Sequence, residues 1–313
     1  MPAAILCYHS LTSPELPSAS TTHVPTSELM AAVDVVRAFG EIVPLRVLVE
    51  RYRGGRSTRG LFAFTFDDAY EAVRRLGEPL RRAGVPITIF VTSTAADSGR
   101  PFWWDRVDDV FPRVASARWR AFEDRIGLDP AYRTGQPLDS GPLRPLRQWI
   151  LAMFCGRWPA PFEEPLAELE AEHGSRTAHR PMTWDEISAF AADGQVDVGV
   201  HTATHPVLPL LEDAAATAEI RDAYAAIRAR IPRALPVLAI PFGLYSARTV
   251  DLARDAGMDV SLTLGNHPLR RAASDGPLAR LSMGRGLRRW KLALRLLAPR
   301  RAADYPLLPS PTS

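Results

Sequence analysis

The sequence lacks the features that mark several classes of protein. It has only two cysteines, Cys7 and Cys155, among 313 residues, so a small fold held together by several disulfides is excluded. No apolar run approaches the ~20 residues that a membrane-spanning helix needs. Lysine is nearly absent, because Lys291 is the only lysine among 38 basic residues. The formal net charge is only +3, so no nucleic-acid partner is expected.

What the chain does contain fits an enzyme of ordinary size. Hydrophobic residues make up 46% of the sequence, enough for one large α/β domain with an elaboration. The amino terminus has neither the charged region nor the apolar region of a signal peptide, so a cytoplasmic location is expected. The sequence does not indicate an oligomeric state.

Basic residues are concentrated near the carboxyl terminus. Residues 285–301 hold seven of them and no acid, which leaves the remainder of the chain net acidic. Within this segment Leu287, Trp290, Leu294 and Leu297 recur at helical spacing. We expect a basic amphipathic helix that covers the barrel, and peripheral contact with a membrane is the alternative.

Strand-like and helix-like segments alternate along most of the chain, as in a βα barrel. The predicted strands are 3–8, Leu61–Phe66, 86–92, Val196–Val200, 237–240, 258–264 and 278–283. The predicted helices are 27–39, 70–83, 182–192 with a capping box of Thr183 and Glu186, 214–231 and 247–256.

Residues 100–181 interrupt this alternation and contain five of the seven tryptophans. They predict a mainly helical insertion that forms a lid on the rim of the active site. Trp119, Trp149 and Trp158 are expected to build its core. Trp103 and Trp104, which are nearer the barrel, are either core residues or platforms on which a sugar ring stacks.

Two of the predicted strands end in residues of the types that commonly bind metals. Leu61–Phe66 runs directly into Asp67 and Asp68, and Val196–Val200 leads to His201 and His205. Since carboxyl ends of parallel strands form the active-site rim in α/β barrels, these side chains are expected to meet. One carboxylate and two imidazoles suit a divalent metal, and the second carboxylate is then left as a base.

At this point the sequence resembles the polysaccharide deacetylases with a NodB homology domain, carbohydrate esterase family 4. The resemblance rests on four segments, which are Ile5–His9, Thr65–Asp68, His201–His205 and Ile240–Tyr245. It implies a distorted (β/α) barrel of the NodB-homology type and one catalytic domain over residues 1–313.

The resemblance also implies a role for each motif residue. Asp68, His201 and His205 would bind one divalent metal, zinc as first choice, with Fe(II), Co(II) and Ni(II) as alternatives. Asp67 would act as the catalytic base. The backbone N–H of Phe242 would stabilise the oxyanion.

The sequence departs from the family pattern in two places. The arginine that orients the base is absent before Pro241, so Arg280 or Arg285 is expected to replace it. The general-acid histidine has an irregular counterpart in His267, with His9 as its competitor. His9, Trp103, Trp104, Tyr245 and Arg285 are the candidate substrate-binding residues.

We therefore expect a metal-dependent hydrolase that removes an N-acyl group, most simply acetyl, from an amino sugar in a glycan or glycoconjugate. The alternatives are a deformylase or deacylase of a small nucleotide- or lipid-linked N-acyl sugar, an acetyl xylan esterase, and a noncatalytic glycan-binding relative. Retention of both Asp67 and the metal-binding residues argues against a protein that only binds glycans.

Overall fold

The structure is a computed structural model that describes residues 2–132, 143–174, 178–265, 269 and 276–297. Its strands, in chain order, are β1 (Ala4–Tyr8), β2 (Ser10–Thr12), β3 (His23–Pro25), β4 (Glu41–Ile42), β5 (Leu61–Phe66), β6 (Ile87–Val91), β7 (Val196–Val200), β8 (Val237–Ala239), β9 (Val260–Gly265) and β10 (Leu278–Ser282).

Seven of the described strands close into a parallel barrel. The order of neighbours is β1, β10, β9, β8, β7, β6 and β5, and β5 pairs back onto β1 from Phe62 opposite Ala4 to Phe66 opposite Tyr8. Every residue of β1, β5 and β6 is buried, as expected for parallel strands that are covered on both faces. The predicted (β/α) barrel is confirmed. The short β4 joins the start of β5, and β2 and β3 form a separate parallel pair.

The helices of the described residues lie between and around these strands. They are α1 (Thr26–Phe39), α2 (Leu45–Arg53), α3 (Glu71–Leu76), α4 (Glu78–Arg82), α5 (Ser93–Ser98), α6 (Trp103–Val110), α7 (Ser116–Arg125), α8 (Leu143–Met153), α9 (Glu163–His173), α10 (Trp184–Ala191), α11 (Asp213–Arg230), α12 (Ala247–Asp255) and α13 (Arg289–Leu297).

The single helix predicted over 70–83 is wrong, because the chain forms α3 and α4 with a break at Gly77. A Cβ at Gly77 would lie 2.2 Å from the carbonyl oxygen of Val73, so only glycine fits there. Pro79 has no N–H to continue the hydrogen bonding of α3, whereas it is well accommodated in the first turn of α4.

The capping box predicted before α10 is confirmed. Thr183 accepts a hydrogen bond from the backbone N–H of Glu186, and Glu186 accepts one from the backbone N–H of Thr183. Both orphan donors at the start of the helix are thereby satisfied.

Four helices, α6 to α9, lie in the segment predicted as an insertion and share an apolar cluster separate from the barrel core. Trp119 and Trp149 are buried in this cluster, and Trp158 packs against it half-buried. These three tryptophans thus build the local core, as expected from the sequence.

The carboxyl-terminal helix α13 packs against α1 on the outside of the barrel. Leu292 and Leu296 are buried in the barrel's main apolar cluster, so α13 covers the barrel, but through residues other than the predicted stripe. Of that stripe, Trp290, Leu294 and Leu297 are exposed. Among the described helices, none has both the length and the apolar character required to span a bilayer.

Candidate active site

A cavity of about 160 Å³ opens at the carboxyl ends of the barrel strands. Its wall includes Asp67 and Asp68 after β5, His201 and His205 after β7, and His9 after β1. This is the rim on which parallel α/β barrels carry their active sites, because the loops that follow different strands converge there.

Asp68, His201 and His205 form a compact cluster in this cavity. Oδ1 of Asp68 lies 3.6 Å from Nε2 of His201 and 3.5 Å from Nε2 of His205. All three side chains are at least nine-tenths buried. The distances exceed those of ordinary hydrogen bonds, so the three groups face one another without bonding.

Hydrogen bonding fixes which nitrogen of His201 faces the cluster. Nδ1 of His201 lies 2.7 Å from the carbonyl oxygen of Ala239, which can only accept, so Nδ1 carries the proton. Nε2 is then left as a lone-pair donor toward Asp68. Burial lowers the pKa of His201 and, more strongly, that of His205, so both imidazoles are neutral in the form that binds metals.

The donor set fits a divalent metal. Asp68 Oδ1 is buried and has no hydrogen-bond partner among the described residues. Burial, then the neighbouring carboxylates of Asp67 and Asp105, raise the pKa of Asp68 well above its usual value, so a carboxylate there is costly without a cation. The spacing of the two nitrogens and the oxygen suits an ion bound at about 2.0–2.2 Å from each.

Asp67 lies beside this cluster but has different partners. Nη1 and Nη2 of Arg280 donate to its two carboxylate oxygens, each at 2.7 Å, and Arg280 is fully buried. Burial alone would raise the pKa of Asp67, but Arg280 and then His201 outweigh it and hold this pKa below the usual range. Asp67 is therefore a fixed, ionised carboxylate, with the Cys7 thiol 3.4 Å from its Oδ2.

The structure thus identifies Arg280 as the cation that holds Asp67. Arg280 lies on β10 and reaches Asp67 from inside the barrel, whereas the family pattern expects an arginine before Pro241. The other candidate, Arg285, donates instead to the carbonyl oxygens of Ser18 and His23 and is not among the residues that line the cavity. A substrate-binding role for Arg285 does not fit this placement, because its guanidinium stabilises a loop.

Arg280→Met is expected to lower the free energy of unfolding by about 3–5 kcal/mol, since it leaves Asp67 as a buried charge without a partner. Thermal denaturation of the metal-free protein measures this loss. Arg46→Met is the matched control, because Arg46 pairs with Asp197 at 2.7 Å but is half-exposed, and it should cost under about 1 kcal/mol. Equal, small losses in both variants would contradict the role of Arg280.

The motif loops adopt strained backbone conformations. Within these loops, positive φ at residues other than glycine occurs at Asp68 (65°), Ala69 (47°), Thr202 (65°), His205 (60°) and Phe242 (58°). Such values cost energy for side chains with a Cβ and persist where the surroundings impose them, often at functional sites. Gly243 follows at φ 69°, and a Cβ there would meet the Leu264 side chain at 2.8 Å.

Glu219, on α11, fixes the loop between the two histidines. Its carboxylate accepts hydrogen bonds from the backbone N–H groups of Ala203 and Thr204 at 3.0 and 2.8 Å. It also pairs with Arg157 at 2.7 Å. Sequence reasoning missed Glu219, because nothing in the helical pattern of 214–231 distinguishes it from a solvated acid.

Aromatic rings surround His205 on the side of the insertion. The rings of Phe242 and Trp104 lie 4.5 and 4.9 Å from its imidazole, and both residues line the cavity. Trp104 is oriented by a hydrogen bond from Nε1 to the Tyr70 hydroxyl at 3.0 Å. Tyr70 in turn donates to Asp105 at 2.5 Å, which joins the insertion to the barrel.

Trp103 also borders the cavity but is mostly buried. Its Nε1 donates to the carbonyl of Gly156 at 3.0 Å, and its ring stacks on Trp158. Trp103 therefore belongs mainly to the core of the insertion, whereas Trp104 is partly exposed.

The remaining candidates are divided between the cavity and other places. His9 lines the cavity, and its ring nitrogen lies within 4.8 Å of the Asp67 carboxylate. Its enclosure lowers the pKa of His9 to about 4, although Asp67 partly opposes this shift. Tyr245 packs half-buried against the barrel core and is not among the residues that line the cavity. His267 lies outside the described residues.

Three polar residues of the cavity wall were missed by sequence reasoning. Ser20 and Thr22 lie on the loop before β3, and Arg147 enters from α8. Arg147 pairs with Asp108 of α6. None belongs to a recognisable motif, and only the folded insertion and loop bring them to the cavity.

Comparisons with known proteins agree with this geometry. The family model described as polysaccharide deacetylase matches residues 157–261, which include His201, His205 and Phe242. Asp67 and Asp68 lie before the matched segment. No curated protein sequence matches the chain significantly.

Solved structures share the fold over nearly the whole chain. The Streptococcus pyogenes deacetylase PplD, in complex with acetate, matches with a TM-score of 0.58 and 13% identity over 94% of this chain and 98% of PplD. IcaB from Ammonifex degensii matches with a TM-score of 0.58 and 17% identity, over 93% of this chain and 95% of IcaB. A de-N-acetylase from Aggregatibacter actinomycetemcomitans matches with a TM-score of 0.52 and 13% identity, over 90% of this chain and 95% of the de-N-acetylase. The family match and the shared fold confirm the resemblance drawn from the motifs.

Proposed function

We propose that this relative of the polysaccharide deacetylases is a metal-dependent hydrolase that removes an N-acyl group from an amino sugar. The observation that carries the proposal is the arrangement around Asp67 and Asp68. One carboxylate faces two neutral imidazoles, and its neighbour is ionised and held by Arg280. The cavity thus contains residues suited to hold a metal and a separate carboxylate suited to act as a base.

Asp68, His201 and His205 would hold the metal, which when bound supplies Lewis acidity toward a water and the substrate carbonyl. Asp67 accepts the proton of the attacking water, because its carboxylate is ionised and lies beside the ligand cluster. Arg280 fixes both oxygens of Asp67, so the base cannot rotate away or turn to bind the metal.

The backbone N–H of Phe242 is proposed to stabilise the negative charge that develops on the carbonyl oxygen. Phe242 and Gly243 both adopt left-handed backbone conformations, and both residues of this turn line the cavity. A donor on a strained, fixed turn needs no reorganisation during the reaction, which is the property that such a site requires.

His9 is the imidazole of the described cavity wall that the ligand cluster does not use. Because its pKa is lowered to about 4, His9 would donate to the leaving amine only after it has received the proton that Asp67 takes from the attacking water. An amine leaves poorly without a proton, whereas the phenolate of an activated ester leaves unaided. We expect His9→Gln to lower amide hydrolysis on the order of 10²-fold more than hydrolysis of an aryl acetate, at unchanged metal content.

His267→Gln is the comparison for this prediction. If His267→Gln instead shows the selective loss on amides, the proton donor is His267. If both variants have small and equal effects, neither histidine is the donor, and Asp67 returns the proton itself.

The size of the cavity and the solved relatives support an acyl group on one sugar unit as the reacting part. At about 160 Å³ the cavity is smaller than the ~300–1,000 Å³ of pockets that enclose whole ligands, so the rest of a glycan would lie outside it. The similar structures of PplD in complex with acetate and of a de-N-acetylase favour acetyl as the group removed. Trp104 is the candidate surface for stacking a sugar ring.

A small phosphorylated substrate is the second candidate, favoured by Arg147. Arg147 lines the cavity while one of its nitrogens donates to Asp108, and the guanidinium group has further N–H groups with which it could pair with a phosphate. A nucleotide- or lipid-linked N-acyl sugar would present such a phosphate near the reacting unit.

Release of acetate and formate from N-acetyl and N-formyl amino sugars tests the proposed function. The panel contains free, oligomeric and nucleotide-linked sugars, each assayed with and without added metal, and Asp67→Asn serves as the blank. Metal-dependent release that falls on the order of 10²-fold or more in the blank supports the proposal. Binding of glycans without release from any of these amides would instead identify a noncatalytic relative.

A further inference from the structure

The carboxyl-terminal helix α13 has two apolar faces, and the barrel uses only one. Leu292 and Leu296 are 1% exposed and pack into the barrel core. Trp290, Leu294 and Leu297 are each at least half exposed, and their spacing of four and three residues places them together on one face, roughly opposite the buried one. Large apolar side chains grouped in this way on a protein surface indicate an interaction site.

Basic side chains flank this exposed face. Arg288, Arg289 and Lys291 are exposed, and Arg295 lies one turn further along. Residues 285–301 contain seven basic residues and no acid. Within the described part of this segment, Arg289 pairs with an acid of α1, Asp34, at 3.1 Å in an exposed ion pair. The surface formed by Trp290, Leu294, Leu297 and the flanking cations is therefore apolar at its centre and positive around it.

We propose that this surface docks on a bilayer that contains anionic lipids. An indole and two leucines on one helix face suit the boundary between headgroups and acyl chains, and arginine and lysine attract the anionic headgroups. A second copy of the chain suits the surface less well, because two such faces would oppose like charges. The apolar centre likewise does not match a phosphate backbone.

The position of α13 relates this surface to the cavity. Arg285, which precedes α13, donates from its backbone to Thr21 and from its guanidinium to the carbonyls of Ser18 and His23. Ser20 and Thr22 of that same loop line the cavity. The segment that leads into α13 thus holds the loop at the cavity rim, so a docked α13 would lie close to that loop. This step rests on the proposed function, and it favours a lipid-linked N-acyl sugar as the substrate.

Co-sedimentation of the full chain with vesicles tests the docking surface. We expect binding to vesicles of phosphatidylglycerol and phosphatidylcholine, weaker binding at high salt, and little binding to phosphatidylcholine alone. The double variant Trp290→Ser/Leu294→Ser should reduce the binding on the order of 10-fold. Met153→Ser is the matched control, because Met153 is 62% exposed on α8, and it should bind like the parent.

Several outcomes would overturn the proposal. They are the absence of binding to anionic vesicles, parental binding by the double variant, and a concentration-dependent dimer that the double variant abolishes. Hydrolysis of a soluble substrate should be the same in the parent and the double variant. Because vesicle binding is read without turnover, failure of the docking surface is distinguishable from failure of the proposed function.

Discussion

Alanine at His201 or His205 is expected to remove the metal and, with it, turnover. Each substitution deletes one nitrogen of the cluster proposed to hold the metal, in which Oδ1 of Asp68 lies 3.6 Å from His201 Nε2 and 3.5 Å from His205 Nε2. Loss of the several kcal/mol that a bound cation contributes to the transition state should slow hydrolysis on the order of 10³-fold or more. Elemental analysis of the purified variants should show metal content falling together with rate.

His173→Ala is the matched control for these two variants. His173 lies at the end of α9, away from the cavity wall, and its replacement should leave both metal content and rate unchanged. Full metal content in His201→Ala and His205→Ala would remove these histidines from the metal site.

Asp67→Asn is expected to slow turnover without removing the metal. The amide keeps the shape of the side chain but cannot accept the proton, so turnover should fall on the order of 10²-fold or more while metal content stays at the parental level. Asp68→Asn should instead lower the metal content, and turnover should fall because the metal is lost. Turnover and elemental analysis on the same samples measure both.

The ion pair with Arg280 makes stability a necessary second measurement for Asp67→Asn. A neutral partner leaves the buried guanidinium uncompensated, so a lower thermal midpoint is expected as well. The rate must therefore be measured well below that midpoint. Metal loss in Asp67→Asn together with metal retention in Asp68→Asn would mean that the two aspartates exchange roles.

The sequence predicted the barrel because its strands are strongly apolar and alternate with helices. Leu61–Phe66 and Val196–Val200 have the predicted bounds, since each ends where polar motif residues begin. The short strands β2, β3 and β4 have only two or three residues, too few to show a periodic pattern. The break at Gly77 was missed because the apolar pattern continues across it, although Gly77 and Pro79 together carried the signal.

Part of the site was predictable because its residues follow strands of the predicted barrel. Asp68, His201 and His205 follow strands that meet at one rim, so their grouping follows from the barrel alone. Arg280 could be named only as one of two alternatives, yet it is a lone charge between the apolar residues of a strand, a pattern that favours a buried partner. Glu219 and Arg147 depend on contacts between distant segments, for which no local pattern exists.

Metal titration of the chelated protein tests the central claim most directly. Metal-free protein receives increasing amounts of zinc, and bound metal and acyl release from an N-acetyl amino sugar are measured in the same samples. The account predicts that release rises in proportion to bound metal and stops rising at one ion per chain, with no such rise in His201→Ala. Undiminished release from the metal-free protein, or full metal binding without release in the parent, would contradict it.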